Sequence, residues 1–303
     1  MKKRIIITGA GGFLGCNVVE SILADQVFDK VYAVTLGSEQ MKLRFQESEM
    51  LSIYEADAIT TGSIPLDAED LVLNCVYPRA MKGKDITFGI DYIESVFQIA
   101  AKASVKGIVN ISSQSVYDPQ RDHPATEQDI PCLTDEYSIG KYCIELLLNN
   151  ICKMVPHTNI RLASLIGPGF DQRVVNRLVD IALRDHVLRV QLNRQQFGYL
   201  DVADAARGLK KLMQVDPSKW ETVYNLGPKQ AITLHEMAYY IKDILLKDFD
   251  INIVIESVNG NEIQNTALDS NLLVSTIGEF RFLSAQESIR RIIRAKIGYE
   301  KQK

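Results

Sequence analysis

A short apolar run that leads directly into a cluster of glycines constrains this chain more than any other feature. Residues 4–8 read RIIIT, and residues 9–15 read GAGGFLG before a helical pattern begins. A buried strand, a glycine-rich turn and a helix in this order are typical of a dinucleotide-binding fingerprint, here in the form T-G-x-x-G-x-x-G. Such a turn lets backbone N–H groups at a helix N-terminus approach a pyrophosphate. The residues predicted to hold the dinucleotide here are Gly9, Gly11, Gly12, Phe13, Leu14 and Gly15.

Short apolar runs alternate with helical patterns along the first half of the chain. Runs such as LVLN and GIVNIS lack an apolar/polar alternation, as expected for strands that are covered on both faces. The alternation predicts an α/β fold with a doubly wound parallel sheet of the Rossmann type. The predicted strands are 4–8, 30–35, 52–57, 70–76, 107–112 and 158–164. The predicted helices are 13–24, 87–103 and 136–153.

The pattern loosens after residue 164, where we expect a smaller lobe. Thr233 and Glu236 have the spacing of a capping box at the start of one helix. We expect 1–165 to form the Rossmann domain, with parts of 195–226 returning to it, and 166–303 to form mainly a C-terminal substrate lobe. Predicted strands here are 195–200, 222–227 and 251–258. Predicted helices are 173–184, 201–213, 233–246 and 284–297.

Composition excludes several classes of function. The 303 residues are 46% hydrophobic with a formal net charge of -4, and no basic stripe suggests a nucleic-acid partner. No apolar run approaches the roughly 18 residues of a transmembrane helix, so no membrane partner is expected. The five cysteines include no C-x-x-C pair, which predicts reduced thiols and a cytoplasmic protein. The four histidines lack ligand spacing, so no metal site is expected.

The choice between NAD and NADP stays open from sequence. An acid that binds the ribose 2′-hydroxyl usually lies at the end of the second strand, where this chain has Thr35. Lys42 and Arg44 are close enough in sequence to be candidate readers of a 2′-phosphate. Asp57 follows the third strand and could bond the adenine amino group, although it could equally be a solvated loop acid.

A second pattern combines a tyrosine and a lysine four residues apart on a predicted helix. Tyr137 and Lys141 would project from one helix face. A nearby ammonium favours the phenolate, and lowering a tyrosine pKa from about 10 to about 7 takes about 4 kcal/mol. The alternative is an ordinary surface pair. Ser113, at the end of an upstream strand, could hold a substrate oxygen, with Ser112 and Ser115 as rival candidates.

With these elements in this order, the chain resembles the extended short-chain dehydrogenase/reductases, and more narrowly the NAD-dependent epimerase/dehydratase family of nucleotide-sugar enzymes. The resemblance covers nearly the whole chain. It implies a nucleotide-sugar substrate and a homodimer formed through helices 87–103 and 136–153. The matching segments are KASVKGIVNISSQSVYD, HPATEQDIPCLTDEYSIGK, IRLASLIGPG, YLDVADAARGL and VYNLGPKQAITLHEMA.

The resemblance also implies roles for individual residues. Tyr137 would deprotonate a sugar hydroxyl while the hydride on that carbon moves to the nicotinamide. Lys141 would bind the nicotinamide ribose and lower the pKa of Tyr137, and Ser113 would bond the reacting oxygen. Further expected contacts are those of Asn74 with the cofactor and of Gln114 and Asn176 with the substrate; a helix-surface Asn176 is the alternative.

Two departures from the family pattern bear on the reaction. The fourth strand usually ends in a His-Leu-Ala-Ala-like stretch, but here it continues as LNCVYPRAMKG, which would place Tyr77 and Arg79 near the cofactor edge. The 4,6-dehydratases carry an Asp-Glu pair where this chain has Gln114 and Ser115, so dehydration is not expected. The predicted function is an NAD(P)-dependent nucleotide-sugar epimerase. The alternatives are an NADPH-dependent nucleotide-sugar reductase or dehydrogenase, and a non-catalytic dinucleotide-sensing member of the fold.

Overall fold

The computed structural model describes residues 3–77 and 86–300, and it alternates strands with helices over most of that length. Arg79 lies outside the described residues. The strands are β1 (Arg4–Thr8), β2 (Lys30–Thr35), β3 (Leu51–Glu55), β4 (Asp70–Asn74), β5 (Gly107–Ser113), β6 (His157–Leu162), β7 (Ser164–Ile166), β8 (Val187–Gln196), β9 (Tyr199–Asp201), β10 (Val223–Leu226) and β11 (Val254–Asn265). The helices are α1 (Phe13–Asp25), α2 (Ser38–Arg44), α3 (Ile86–Lys102), α4 (Glu136–Ile151), α5 (Val174–Asp185), α6 (Val202–Leu212), α7 (Leu234–Phe249), α8 (Asn271–Ile277) and α9 (Ala285–Glu300).

Seven parallel strands form the central sheet, in the order β10-β6-β5-β4-β1-β2-β3. Six of them follow the order of a doubly wound dinucleotide-binding sheet, and β10 is added beyond β6. Helices α1 and α6 cover one face, through residues such as Val18 and Leu209. Helices α3 and α4 cover the other face, through residues such as Phe97 and Leu148. The predicted fold class is confirmed.

A separate apolar core lies in the C-terminal part of the chain. It joins α5, α7, α9 and β8 through buried residues such as Val179, Ile241 and Ile292. Strands β8 and β11 pair in parallel to form a two-stranded ribbon at its edge. Within the part of the chain that the structure describes, none of the helices has the length and apolarity needed to span a membrane.

The structure changes some predicted elements. The capping box of Thr233 and Glu236 forms at the start of α7 as expected. The predicted strand 195–200 is wrong, because it is interrupted between β8 and β9. At Gly198 the backbone runs so close to Ala267 that a Cβ would lie 2.7 Å from the Ala267 Cα. The short helices α2 and α8 were not predicted.

Candidate active site

A cavity of about 1330 Å³ opens at the carboxyl ends of β1 to β4. The order of the sheet reverses between β1 and β4, and dinucleotides bind in the crevice at such a reversal. The glycine turn after β1, the ends of β2 and β3, the segment after β4 and part of α3 form its wall. Phe170 and Gln172 reach it from the loop before α5. The volume is ample for a ligand of dinucleotide size.

The glycine turn fits a pyrophosphate. Gly9 has a φ of +69°, and a Cβ there would lie 2.9 Å from the carbonyl carbon of Cys75. A Cβ at Gly15 would lie 2.4 Å from the Gly9 carbonyl oxygen, so α1 packs against the turn only without a side chain. Gly12 lines the cavity just before α1, and its N–H donates to the Gly9 carbonyl oxygen at 3.0 Å. The N–H groups of the first turn of α1 are available to an anion.

Some of the other residues of the glycine turn line the cavity and one does not. Phe13 and Leu14 line the cavity, whereas Gly11 does not. The ring of Phe13 stacks on Phe170 at 4.1 Å between centroids. This stack ties the glycine turn to the loop before α5, which bounds the opposite side of the cavity.

Asn74 lies at the end of β4 but is fully buried in the sheet. Its Oδ1 accepts a hydrogen bond from Thr8 Oγ1 at 2.7 Å, and its Nδ2 donates to Asn110 Oδ1 at 2.9 Å. The backbone N–H of Val76 also donates to Asn74 Oδ1, at 3.3 Å. The side chain does not line the cavity, so any effect of Asn74 on a cofactor acts through the position of the segment after β4.

The far end of the cavity lies where β2 and β3 end. Thr35 lines it as the last residue of β2. Asp57 lines it from one turn of 3₁₀ helix, Ala56–Ala58, that directly follows β3. An exposed carboxylate in this position is available to an adenine amino group.

Helix α4 carries Tyr137 and Lys141. The side chain of Asp135 accepts a hydrogen bond from the Ser138 N–H, and Ser138 Oγ accepts one from the Asp135 N–H, which fixes the start of the helix. Lys141 is 4% exposed, and its Nζ donates to the Ile111 carbonyl oxygen at 2.8 Å. This bond joins α4 to β5 two residues before Ser113.

Burial changes the acidity of the lysine. Removal from water lowers the pKa of Lys141 to about 8, although the charges of Cys75 and Glu145 act in the opposite direction. At neutral pH the side chain is therefore still largely a cation, but one that is held close to its titration range. A buried ammonium one helical turn after a tyrosine is an arrangement that supports proton transfer by the phenol.

Tyr77 connects this pair to the cavity. It lines the cavity from the segment after β4. Its ring lies edge-on to the ring of Tyr137 at 4.8 Å between centroids, and Lys141 Nζ lies 5.3 Å from its centroid. The sequence predicts Tyr77 near the cofactor edge, as a departure from the small residues that the resembled family has there. Its contact with both residues of the pair could not be read from that departure.

Ser113 is the last residue of β5 and is 6% exposed. Its Oγ accepts a hydrogen bond from the Ser115 N–H at 3.1 Å. The neighbouring Ser112 is committed elsewhere, since its Oγ donates to Glu145 Oε1. Of the two adjacent hydroxyls at the strand end, Ser113 is the one that is not bonded to the buried carboxylate.

A buried ion pair joins β6 to α4, the helix that carries Tyr137 and Lys141. Arg161, on β6, contacts Glu145 through Nε to Oε1 at 3.1 Å and through Nη2 to Oε2 at 2.8 Å. Both side chains are almost inaccessible to water. Because Glu145 is one turn after Lys141, this pair fixes the part of α4 that positions the lysine.

None of the three residues predicted to contact substrate, Ser113, Gln114 and Asn176, is among the described residues that line the cavity. Gln114 Oε1 accepts a hydrogen bond from Arg121 at 3.3 Å, and its Nε2 donates to Ser115 Oγ at 3.2 Å. Asn176 is fully buried and donates to the Gly167 carbonyl oxygen at 3.1 Å. Its Oδ1 has no hydrogen-bond partner within the described residues. Asn176 thus holds the loop between β7 and α5.

Comparison with known proteins adds a family match. The model of the NAD dependent epimerase/dehydratase family matches residues 5–227. This range contains the glycine turn, Ser113 and the tyrosine–lysine pair.

Individual relatives are similar over most of the chain. UDP-glucuronic acid decarboxylase 6 of Arabidopsis thaliana is 23% identical over 279 residues, covering 83% of this chain and 77% of that protein. UDP-glucose 4-epimerase of Caenorhabditis elegans is 21% identical over 300 residues, covering 82% and 85%. The structure of UDP-glucuronic acid 4-epimerase from Bacillus cereus, in complex with UDP-glucuronic acid and NAD, superposes with a TM-score of 0.78 at 16% identity, covering 98% of this chain and 99% of that one.

Proposed function

Because the chain belongs to the NAD dependent epimerase/dehydratase family, and is thus an enzyme of the extended short-chain dehydrogenase/reductase type, we propose that it is a nucleotide-sugar epimerase. It would invert one hydroxyl-bearing carbon of the sugar through a reversible oxidation at that carbon. The observation that carries this proposal is the contact of Tyr137 and the buried Lys141 with Tyr77, which lines the glycine-bounded cavity.

The cofactor of this family is a nicotinamide dinucleotide. The glycine turn would hold its pyrophosphate, Asp57 its adenine amino group and Lys141 its nicotinamide ribose. When bound, the nicotinamide supplies hydride acceptance and return, so no cofactor is consumed over a full epimerisation. All other steps fall to side chains of this chain.

Tyr137 takes the proton from the sugar hydroxyl as that carbon is oxidised, and it returns the proton to the oxygen on reduction. The Lys141 ammonium favours the ionised phenol, since a nearby positive charge stabilises the phenolate. Ser113 donates a hydrogen bond to the same sugar oxygen and keeps it within reach of Tyr137. Inversion requires the ketone form of the sugar to turn over in the site before it is reduced.

The proposed substrate is expected to bind the C-terminal lobe, and its chemical class is argued from the relatives. Relatives named as a 4-epimerase and a decarboxylase of UDP-sugars support a UDP-sugar as substrate. Gln114 and Asn176 stay predictions as substrate-binding residues. Gln114 and Ser115 replace the acid pair of 4,6-dehydratases, which argues against loss of water as the reaction.

Two further properties stay predictions. Exposed apolar side chains on α4, among them Ile139 and Leu146, support a homodimer built on helices α3 and α4. The cytoplasmic location rests on the cysteine pattern alone.

The proposal predicts interconversion of a UDP-sugar with its epimer, without net NADH formation. The assay incubates the enzyme with UDP-glucose or UDP-glucuronic acid and follows both the product sugar by NMR and the absorbance of reduced cofactor. Tyr137→Phe removes the proton-transfer hydroxyl, so we expect turnover to fall about 100- to 10,000-fold. Dinucleotide affinity should be unchanged within about twofold, because the phenol oxygen is not part of the glycine turn.

Tyr142→Phe on the same helix is the matched control and should keep turnover within about twofold. Equal activity of wild type and Tyr137→Phe would support the non-catalytic alternative. Steady consumption of NADPH with one reduced sugar product would support the reductase alternative.

A further inference from the structure

The wall of the cavity at its adenosine end is acidic. Glu55 and Asp57 both line it, at the end of β3 and just beyond. Among the lining residues that the structure describes, none is a lysine, an arginine or a histidine. A ligand group that carries two negative charges would meet repulsion here, whereas a neutral hydroxyl would find an acceptor.

The pairing of β2 with β3 places Glu55 beside Thr35. Thr35 stands where dinucleotide folds usually have the acid that binds the ribose. Thr35 of β2 pairs directly with Glu55 of β3. Directly paired residues of adjacent strands project to the same face of a sheet. Thr35 is packed against the glycine turn, since a Cβ at Gly11 would lie 2.5 Å from Thr35 Oγ1. A carboxylate therefore lies one strand further out than the end of β2, where dinucleotide folds usually carry one.

Glu55 is held in place by a neighbouring hydroxyl. Ser38, in the first turn of α2, is buried, and its Oγ donates a hydrogen bond to Glu55 Oε1. The bond occupies one carboxylate oxygen and leaves the other oxygen able to accept from a ligand hydroxyl. The side chain of Glu55 is otherwise on the accessible side of the strand end.

The two basic candidates for a 2′-phosphate are paired elsewhere. Lys42 Nζ contacts Glu39 Oε1 at 3.3 Å, and Arg44 Nη2 contacts Glu20 Oε2 at 3.0 Å. Neither residue lines the cavity. Binding of a 2′-phosphate by Lys42 or Arg44 would require that residue to leave its ion pair, and the phosphate would meet the charge of Glu55.

We propose that Glu55, held by Ser38, binds the adenosine ribose hydroxyls and makes the protein select NAD against NADP. The proposal rests on the dinucleotide binding of the proposed function, and it assigns the selectivity to β3. A carboxylate accepts hydrogen bonds from the free 2′-hydroxyl of NAD and repels the 2′-phosphate of NADP.

The test measures the dissociation constants of NAD⁺ and NADP⁺ by calorimetry, on protein stripped of any bound dinucleotide. We expect wild type to bind NAD⁺ about 100-fold more tightly than NADP⁺, and Glu55→Gln to reduce this ratio about tenfold or more. Asp57→Asn is the matched control at the same end of the cavity. It should weaken both dinucleotides alike and keep their ratio within about twofold, because the adenine is common to both.

The outcomes separate the two proposals. A wild-type ratio near one, or a ratio that Glu55→Gln leaves unchanged, overturns the assignment to Glu55. A change in ratio as large in Asp57→Asn as in Glu55→Gln also overturns it. Absence of binding of either dinucleotide to wild type would instead contradict the proposed function, and with it the reading of the cavity.

Discussion

The polar groups beneath α4 and those on the β8–β11 ribbon have the same chemistry but opposite exposure. The Arg161–Glu145 side chains are 6% and 4% exposed, whereas those of Arg189–Glu256 are 78% and 49% exposed. The first pair joins α4 to β6 inside the sheet domain. The second pair joins the two strands of the ribbon at the surface of the lobe.

Amide groups repeat the contrast. Asn110 accepts from Asn74 and donates to Asn159 at 2.8 Å, at positions that are all buried. On the ribbon, Asn193 donates to Gln195 at 2.9 Å and to Glu262 at 2.8 Å, where water can replace either partner.

This difference in burial indicates which part of the molecule is rigid. Buried polar groups lose much stability when a partner is removed, so they fix the relative position of the elements that they join. In this chain they lie under the helix that carries Tyr137 and Lys141. Exposed pairs contribute little and exchange easily with water. Substitutions on the ribbon are therefore expected to leave the positions of Tyr137 and Lys141 unchanged.

The largest expected effect is on the buried ion pair. Glu145→Met leaves the Arg161 guanidinium buried and unpaired, so we expect the free energy of unfolding to fall by about 3–5 kcal/mol. The matched change on the ribbon, Glu256→Met, should lower it by less than about 1 kcal/mol. Urea unfolding of both variants measures the two losses. Similar losses at the two sites would remove the contrast between the regions.

A smaller effect is expected on the pH dependence of stability, in which Lys141 should differ from exposed lysines. Its pKa of about 8 in the folded protein, lowered by burial, is below the usual 10.5, so the unfolded chain binds more protons between these values. Wild-type stability therefore gains a contribution as pH rises through this window, and Lys141→Met lacks it. The stability of Lys141→Met relative to wild type should fall by about 2 kcal/mol between pH 8 and pH 9.5.

The control is Lys153→Met, which removes an exposed lysine just after α4. Its stability relative to wild type should stay within about 0.5 kcal/mol over the same range. A difference between Lys141→Met and wild type that does not vary with pH would show that burial does not lower the pKa of Lys141.

Local signals in the sequence predicted the sheet and one half of the cavity. The bounds of β1 and β2 agree with the predicted 4–8 and 30–35, because buried runs between turn residues leave little choice. The glycine turn is predicted from the spacing of its glycines together with their place between a buried strand and a helical pattern. Helix α2 was missed because it is short and begins after Gly37 without a side-chain cap.

Contacts between distant segments could not be predicted. Glu55 lies next to Thr35 because the two residues pair between β2 and β3. This pairing depends on a register that neither strand determines alone. Tyr77 gains its place from the packing of α4 on the sheet, which brings Tyr137 and Lys141 to its ring. Sequence patterns therefore predicted Tyr137 and Lys141, whereas the place of Glu55 follows only from the pairing of the strands.

The proposed epimerase function is tested most simply by identifying the dinucleotide that the purified protein carries. The protein is denatured, and the released cofactor is identified and quantified against the amount of chain. We expect tightly retained NAD, since an epimerase returns the hydride within each turnover and has no need to exchange the cofactor. A protein that is empty and then binds NADPH, or that binds neither dinucleotide, would contradict it.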